Sequence, residues 1–431
     1  MANLESLASL AAIVVLILLE AAVLSSFAAA QLRPDYYASV SPNLEGIVRY
    51  SVKQSMAKSP ISAPATLRLF FHDCAVMGCD KSVMTISPTG NDEWRNQDDY
   101  SLKPEGFQTI LDAKAAVDSD PRCRYKVSCA DIIALATRES VSQLRPDYYA
   151  GVCPNLEGFV RSSVKQSMVK SPISAPATLR LFFHDCATTG CDASVMIIGS
   201  TGDDENPDRY SLKLEGFQTI LDAKAAVDSD PQCRYKVSCA DIIALATRES
   251  VSQSGGPNYT VELGRYDGRK STDRSVRLPH PSDNLDSLNA FFSTLGLSQT
   301  DMIALSGGHT LGAADCDFFK YRTGGNDQSM NPSFDAQLQG TCAKQNFAFL
   351  DDVTPIGFDN LYYRNLQNGR GLLGSDQVLY TDERSRGTVD FYAANQGTFF
   401  SDFAIAMTKL GRVGVKTAAD GEIRRDCRYP N

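Results

Sequence analysis

Apolar and polar positions follow a helical period along most of the chain. Asn43–Lys58 and Asn155–Lys170 carry apolar residues at helical spacing, and a Ser-Pro pair ends each segment. This pattern predicts amphipathic helices that stop there. Helices are also predicted for Ala65–Cys74, Ala177–Cys186 and the segments ADIIALATRESV, FDNLYYRNL and FFSDFAIAMTKL. Residues 259–264, YTVELG, are the best candidate for a short strand. The pattern therefore predicts a mostly α-helical protein.

The first thirty residues have a different pattern. Ala11–Leu19 is an unbroken apolar run that Glu20 ends, and small residues then lead to Ala28–Ala30. This arrangement is typical of a secretory signal peptide at residues 1–30, with cleavage before Gln31. The alternative is a membrane anchor, but the run is shorter than the ~18–20 apolar residues that a span needs. We expect a secreted, extracellular protein that has no membrane association after cleavage.

Composition and charge narrow the class further. The chain of 431 residues carries a net charge of −9 and has no Lys/Arg runs, which argues against binding to nucleic acid or to an anionic membrane. Its twelve cysteines predict disulfide bonds in a secreted protein. The single sequon, NYT at Asn258, is a candidate glycosylation site.

The chain contains an internal repeat. Residues 32–143 begin LRPDYYASVSPNLEG and residues 144–253 begin LRPDYYAGVCPNLEG, and the two segments stay nearly identical to their ends. We call them the first repeat and the second repeat. Residues 254–431 occur once. A period of about 110 residues is too long for a solenoid, so we interpret the repeat as a tandem duplication, or as an exon counted twice in a gene model.

Each repeat carries the cluster RLFFHDC. Arg180 and His184 lie four residues apart and share one helix face, as do Arg68 and His72. An imidazole beside a fixed positive charge suits a reaction in which His moves a proton and Arg stabilises negative charge. Taken alone, such a pair is more often structural.

The residues after this cluster suggest a metal site. Asp185, Asp192 and Ser194 place oxygen ligands on a tight loop, which suits Ca²⁺. Cys186 and Cys191 can close the loop as a local disulfide. Zinc is a poor alternative because the chain has no second nearby Cys/His pair at finger spacing.

His309 is a candidate ligand of another kind. It lies in ALSGGHTLG, and a single His ligand with an open opposite side fits haem iron. Such a His usually donates its other N–H to a carboxylate, for which Asp376 in LLGSDQ is a candidate.

Several motifs, taken in their order along the chain, resemble those of a known family. RLFFHDC with GCDxS, YKVSCADIIALATRESV, LGRYDGR, LPHP, ALSGGHTLG, FDNLYY and GLLGSDQ together resemble the secretory plant (class III) haem peroxidases. The resemblance covers residues 144–431, and residues 31–143 match its distal half a second time. It implies the all-α haem peroxidase fold, with one haem b between a distal half (residues 144–253) and a proximal half (residues 254–431). It also implies a monomer that uses hydrogen peroxide to oxidise small phenolic donors.

The resemblance assigns roles to single residues. His184 would move the proton of the peroxide, Arg180 would stabilise charge, and Phe183 would lie beside His184. His309 would be the proximal iron ligand and Asp376 its partner. The other implied positions are Pro279, whose carbonyl would contact donors, the distal calcium set Asp185, Thr188, Gly190, Asp192 and Ser194 with Glu205 in support, and the proximal calcium set Thr310, Asp351, Thr354, Gly357 and Asp359. Without the resemblance, the proximal aspartates Asp351 and Asp359 would be interpreted as parts of a solvated loop.

Cysteines favour the second repeat as the working distal half. The resemblance implies the pairs Cys153–Cys233, Cys186–Cys191, Cys239–Cys427 and Cys316–Cys342. In the first repeat Ser41 stands where the second has Cys153, so Cys123 has no partner and Cys129 would compete with Cys239 for Cys427. The duplicate site positions would be Arg68, His72, Asp73, Asp80 and Ser82.

One loop favours the first repeat instead. The family places an Asn before LSL to orient the distal His, where the first repeat has Asp99 and the second has Arg209. A guanidinium cannot accept that hydrogen bond, although Asp208 or Asn206 could replace it. The alternative functions are therefore a catalytically impaired or non-catalytic wall-associated protein, or a gene-model artefact of an ordinary peroxidase.

Overall fold

The computed structural model describes residues 36–37, 40–59, 61–76, 78–85, 102–141, 144–188, 190–198, 212–271 and 278–431. The predicted signal peptide, Asp99, Glu205, Arg209 and the possible substitutes Asn206 and Asp208 lie outside these residues. The chain divides into two compact units, Met1–Ser142 and Gln143–Asn431, so the division falls beside the junction between the repeats.

Unit 1 is a small helical assembly. Its helices are α1 (Leu44–Lys58), α2 (Ser62–Val76), α3 (Pro104–Ser119) and α4 (Cys129–Val141), with a 3₁₀ turn at Ser82–Met84. Helices α1 and α2 each pack on both α3 and α4. The helices meet through apolar side chains at helical spacing, including Val48, Val52, Leu69, Ile110 and Ile133.

The first part of unit 2 repeats this arrangement. Its helices are α5 (Leu156–Lys170), α6 (Ser174–Thr188), α7 (Leu214–Ser229) and α8 (Cys239–Gln253), with a 3₁₀ turn at Ser194–Met196. Helices α5 and α6 each pack on α7 and α8, as their counterparts do in unit 1. Every residue of α8 from Cys239 to Val251 is buried, which makes it the central helix of the unit. The Ser238 side chain caps this helix by accepting from the Asp241 N–H.

The remainder of unit 2 adds further helices around α8. These are α9 (Leu285–Thr294), α10 (Gln299–Ser306), α11 (Pro332–Cys342), α12 (Leu361–Gln367), α13 (Gly374–Thr381), α14 (Glu383–Ala394) and α15 (Gln396–Leu410). Helix α10 packs on α15, and α15 also contacts α6. A short antiparallel pair, β1 (Ala313–Asp315) and β2 (Phe347–Phe349), holds Ala313 opposite Phe349. The prediction of an all-α fold is confirmed.

The predicted helices are present with small shifts at their ends, but the strand prediction is wrong. Residues 259–264 contain only an isolated bridge, between Leu263 and Arg145. The segment that follows Arg145 is a turn, so the ladder does not extend in that direction. Within the described residues, β1 and β2 are three residues each, shorter than the run that a sequence pattern needs to predict a strand.

The two units differ in their disulfide bonds. Unit 2 contains Cys153–Cys233, Cys186–Cys191, Cys239–Cys427 and Cys316–Cys342, the pairs that the resemblance implied. Unit 1 contains Cys74–Cys79. Cys123 and Cys129 are free thiols, and Cys427 is bonded to Cys239 rather than to Cys129.

In the part of the chain that the structure describes, no helix has the length and hydropathy needed to span a bilayer.

Candidate active site

Helix α6 places a basic pair on one face. The Arg180 Nε donates a hydrogen bond to His184 Nε2 over 3.2 Å, one helical turn away. Leu181 and Phe182, on the opposite face, are buried and hold the helix in the core. Burial, and then the neighbouring charge of Arg180, lower the pKa of His184 to about 3. His184 is therefore neutral near pH 7, and its Nε2 lone pair accepts the Arg180 hydrogen bond in this structure.

A second imidazole lies in the 3₁₀ turn Gly307–Thr310, directly after α10. His309 Nδ1 is 2.7 Å from Asp376 Oδ1, in the first turn of α13. Burial alone would lower the pKa of His309, but the charge and hydrogen bond of Asp376 raise it overall. Because Nδ1 is held in this way, Nε2 is the ring atom left to bind a metal.

Asp376 has a further partner that sequence reasoning missed. Tyr362 donates its hydroxyl to Asp376 Oδ1 over 2.9 Å, so the carboxylate accepts from both Tyr362 and His309. Burial would raise the pKa of Asp376, but the charge and hydrogen bond of His309, together with the Tyr362 hydrogen bond, hold it below its ordinary value. Tyr362 lies in FDNLYY, a motif that predicts a helix and contributes to the family resemblance but does not point to Asp376.

Helix α6 and the segment that carries His309 lie against each other within unit 2. A Cβ built on Gly308, next to His309, would lie 3.3 Å from Leu179 of α6, and one on Gly312 would lie 3.1 Å from Pro176. The charge of Arg180 also acts on His309. Although protein surrounds His309, 42% of its side chain is accessible. An accessible imidazole inside the protein, with α6 packed beside its segment, could hold a haem iron through Nε2.

The loop after α6 brings the expected distal calcium residues together. Asp185 accepts from the Ala193 and Val195 N–H groups over 2.9 and 3.3 Å, and Asp192 accepts from the Ser194 N–H over 3.0 Å. All five side chains are buried, and burial raises the pKa of Asp192. Two more expected ligands lie in this loop. The Gly190 carbonyl accepts a hydrogen bond from the Asp192 N–H, and the Thr188 hydroxyl donates one to the His184 carbonyl.

The five proximal positions form a second oxygen-rich cluster. Thr310 Oγ1 donates to the Gly357 carbonyl and to Asp359 over 3.3 and 3.5 Å. Thr354 Oγ1 donates to the buried Asp351 carboxylate over 3.0 Å. Within the described residues, no three His, Cys, Asp or Glu side chains gather as a metal site. Any cation at either loop would therefore depend on hydroxyl and carbonyl oxygens as well as on carboxylates.

The loop that contains Pro279 is held against the start of α13. The Pro281 carbonyl accepts from the Ser375 N–H over 2.9 Å and from the Tyr321 hydroxyl over 3.1 Å. Ser375 directly precedes Asp376, so this loop lies close to the His309–Asp376 pair.

The same motif has a different environment in unit 1. Leu67 and Phe71 on α2 are 46% and 67% exposed, whereas their counterparts Leu179 and Phe183 are half-buried. The ring of Phe183 lies 6.0 Å from that of Phe292. The loop geometry is nevertheless kept. Asp73 accepts from Lys81 and Val83, and Asp80 accepts from Ser82, while Arg68 is exposed and His72 half-buried.

Comparison with known proteins identifies the family. The family profile described as Peroxidase matches residues 48–154 and 160–395. Peroxidase 45 and Peroxidase 16 of Arabidopsis thaliana are 52% and 51% identical to the chain over 302 residues, which are 67% of this chain and 93% of each relative. Peroxidase 51 of the same plant is 49% identical over 309 residues, 68% of this chain and 94% of the relative.

The chain therefore belongs to the peroxidase family. It is a plant haem peroxidase, an oxidoreductase whose co-substrates are hydrogen peroxide and a reducing donor.

Proposed function

We propose that residues 144–431 form the working peroxidase domain, with its distal side supplied by the second repeat. One observation carries this choice. Pro176 and Leu179 of the second repeat lie against Gly312 and Gly308, beside His309. The corresponding residue Leu67 of the first repeat is 46% exposed. In the second repeat, therefore, the helix face that would cover a haem packs against the segment that carries His309.

The bound haem would supply the iron centre that peroxide oxidises and the donor reduces. His309 would ligate it through Nε2, while Asp376 holds Nδ1. His184, neutral because of burial and Arg180, would exchange the Arg180 hydrogen bond at Nε2 for the proton of the peroxide and then return that proton to the departing oxygen. The Arg180 guanidinium would stabilise the negative charge that develops there, and Phe183 would bound the space beside His184.

The remaining proposed ligands surround this site. The distal loop with Asp185, Thr188, Gly190, Asp192 and Ser194 would hold one Ca²⁺, with Glu205 in support, and the cluster of Thr310, Asp351, Thr354, Gly357 and Asp359 a second. Small phenols would bind near the Pro279 carbonyl, because its loop is fixed beside Asp376.

We further propose that the first repeat is a supernumerary distal half. The 302 matched residues are 93% of Peroxidase 45, so that relative has about 325 residues. This chain exceeds it by roughly the length of one repeat, which supports the proposal. The five disulfides support secretion. With residues 1–30 as its signal peptide, the chain would be a secreted monomer.

The test is peroxide-dependent oxidation of a simple phenol by the purified full-length chain, supplied with haem and Ca²⁺, with the Soret band recorded on the same sample. We expect a Soret band and turnover that His184→Gln removes and His72→Gln leaves. Loss of turnover in His72→Gln instead would assign the distal side to the first repeat. A Soret band without turnover would contradict the proposed role of His184.

A further inference from the structure

Two hydrogen-bond donors meet at one carboxylate oxygen behind His309. The His309 Nδ1 and the Tyr362 hydroxyl lie 2.7 and 2.9 Å from Asp376 Oδ1. The other oxygen, Oδ2, accepts from the Leu373 N–H over 3.2 Å. Tyr362 and Asp376 are each only 2% exposed, so bulk water has little access to this network.

Sharing one oxygen couples the two donors. A buried carboxylate that accepts a strong hydrogen bond from a phenol has less electron density to offer a second donor on the same atom. The hydrogen bond from Tyr362 therefore weakens the pull of Asp376 on the His309 proton. A His that keeps more of its proton is a poorer electron donor to the metal that it ligates.

We propose that Tyr362 is a positioning residue that acts on His309 through Asp376, and that its hydroxyl favours the ferrous state of the haem iron. This inference rests on the proposed role of His309 as iron ligand. Tyr362 also packs its ring edge-on to His309, with centroids 6.2 Å apart at 85°, so it restricts the ring orientation as well.

The chain offers a matched control at the next position. Tyr363 is buried like Tyr362, but its hydroxyl donates to the Ile303 carbonyl over 2.9 Å and not to Asp376. Tyr363→Phe therefore removes a buried phenolic hydrogen bond of the same kind without touching the proximal pair. A purely structural role for Tyr362 would make the two Phe variants behave alike.

The experiment is a spectroelectrochemical titration of the full-length haem-loaded protein and its variants. We expect Tyr362→Phe to shift the ferric–ferrous equilibrium toward the ferric form by up to about tenfold, which is about 59 mV for one electron. The iron–histidine stretching frequency of the ferrous form should rise in the same variant. In Tyr363→Phe, the ferric–ferrous equilibrium should stay within about twofold of the wild type. The iron–histidine stretching frequency should be unchanged.

Three results would overturn the inference. One is an equal shift in both Phe variants, another is a shift of Tyr362→Phe toward the ferrous form, and the third is a Tyr362→Phe effect that persists at full size in an Asp376→Asn background. If Tyr362→Phe does not take up haem, 3-fluorotyrosine at position 362 replaces it. Its more acidic hydroxyl should shift the equilibrium toward the ferrous form, and an unchanged equilibrium would contradict the inference.

Failure of the proposed ligand is a separate outcome. If His309→Gln leaves the iron–histidine stretch unchanged, His309 is not the ligand, and the inference falls together with that proposal. If His309→Gln abolishes the stretch while Tyr362→Phe changes nothing, only the inference about Tyr362 is wrong.

Discussion

Replacing Ser41 with Cys should lock unit 1 with the bridge that the first repeat lacks. Ser41 Oγ contacts Cys123 Sγ directly, and both side chains are buried. The counterparts of these two positions are Cys153 and Cys233, which form a disulfide across 80 residues of chain. The geometry for a bridge is thus already present in unit 1, where the partner side chain is a hydroxyl.

The magnitude follows from the length of the loop that the new bond would close. Ser41 and Cys123 are 82 positions apart, and a chain-entropy treatment gives about 4.5 kcal/mol for such a loop. Measured disulfides usually contribute less, about 2–4 kcal/mol, so we expect about 3 kcal/mol. For a unit of this size, that raises the midpoint of thermal unfolding by about 10–20 °C.

Calorimetry of the full-length chain measures the unfolding midpoint of unit 1. A thiol count in denaturant shows whether the new disulfide has formed. Wild-type protein should show two reactive thiols, Cys123 and Cys129, and the Ser41→Cys variant one. The double variant Ser41→Cys/Cys123→Ser is the control, because it cannot form the bridge and should unfold like the wild type or earlier. A thiol count of one without an upward shift in the unit 1 transition would refute the loop-entropy argument. Three thiols would refute the geometry.

Other predictions concern the site itself. His184→Gln should reduce the rate of reaction with peroxide by about 10²–10⁴-fold, followed by stopped-flow absorbance, and an equal loss in His72→Gln would contradict our choice of repeat. The pKa of His184 lies near 3, below its ordinary value, so the proton-accepting form is lost only as pH falls through about 3. Arg180→Leu should move this acid limb to higher pH because a like charge is removed, and an unmoved limb in the pH–rate profile would exclude that contribution. Removing Ca²⁺ with a chelator should lower the unfolding midpoint, by the equivalent of about 4 kcal/mol if the ion was present at 1,000 times its Kd. Asp351→Asn and Asp359→Asn should reduce that sensitivity, and unchanged chelator sensitivity in both would argue against the proximal site.

The helices and the residue types of the candidate site could be predicted from the sequence because both depend on residues that are close together in the chain. A helical period and a Ser-Pro stop are enough to place α1 and α5, and the four-residue spacing of Arg180 and His184 is enough to put them on one face. Prediction from the sequence failed where the deciding partner is distant in the chain. The segment at 259–264 reads as a strand, but whether it pairs depends on the turn that follows Arg145.

Tyr362 is the instructive omission at the site. Its role depends on meeting Asp376, fourteen positions further on and on the next helix, at an oxygen already shared with His309. No spacing rule predicts that a residue of α12 and one of the turn after α10 meet at a single oxygen of a residue in α13. The pattern of the sequence marks Tyr362 and Tyr363 alike as core aromatics, and only the fold separates them.

The repeats make the same point within one molecule. Phe71 and Phe183 follow the same Arg-Leu-Phe sequence on the same kind of helix, yet Phe71 is 67% exposed and Phe183 packs against Phe292. His184 is 6% exposed, and it owes its depressed pKa first to that burial. The surroundings of the RLFFHDC motif are therefore not fixed by the motif itself. Phe183 packs against Phe292 of residues 254–431, a segment that occurs only once in the chain.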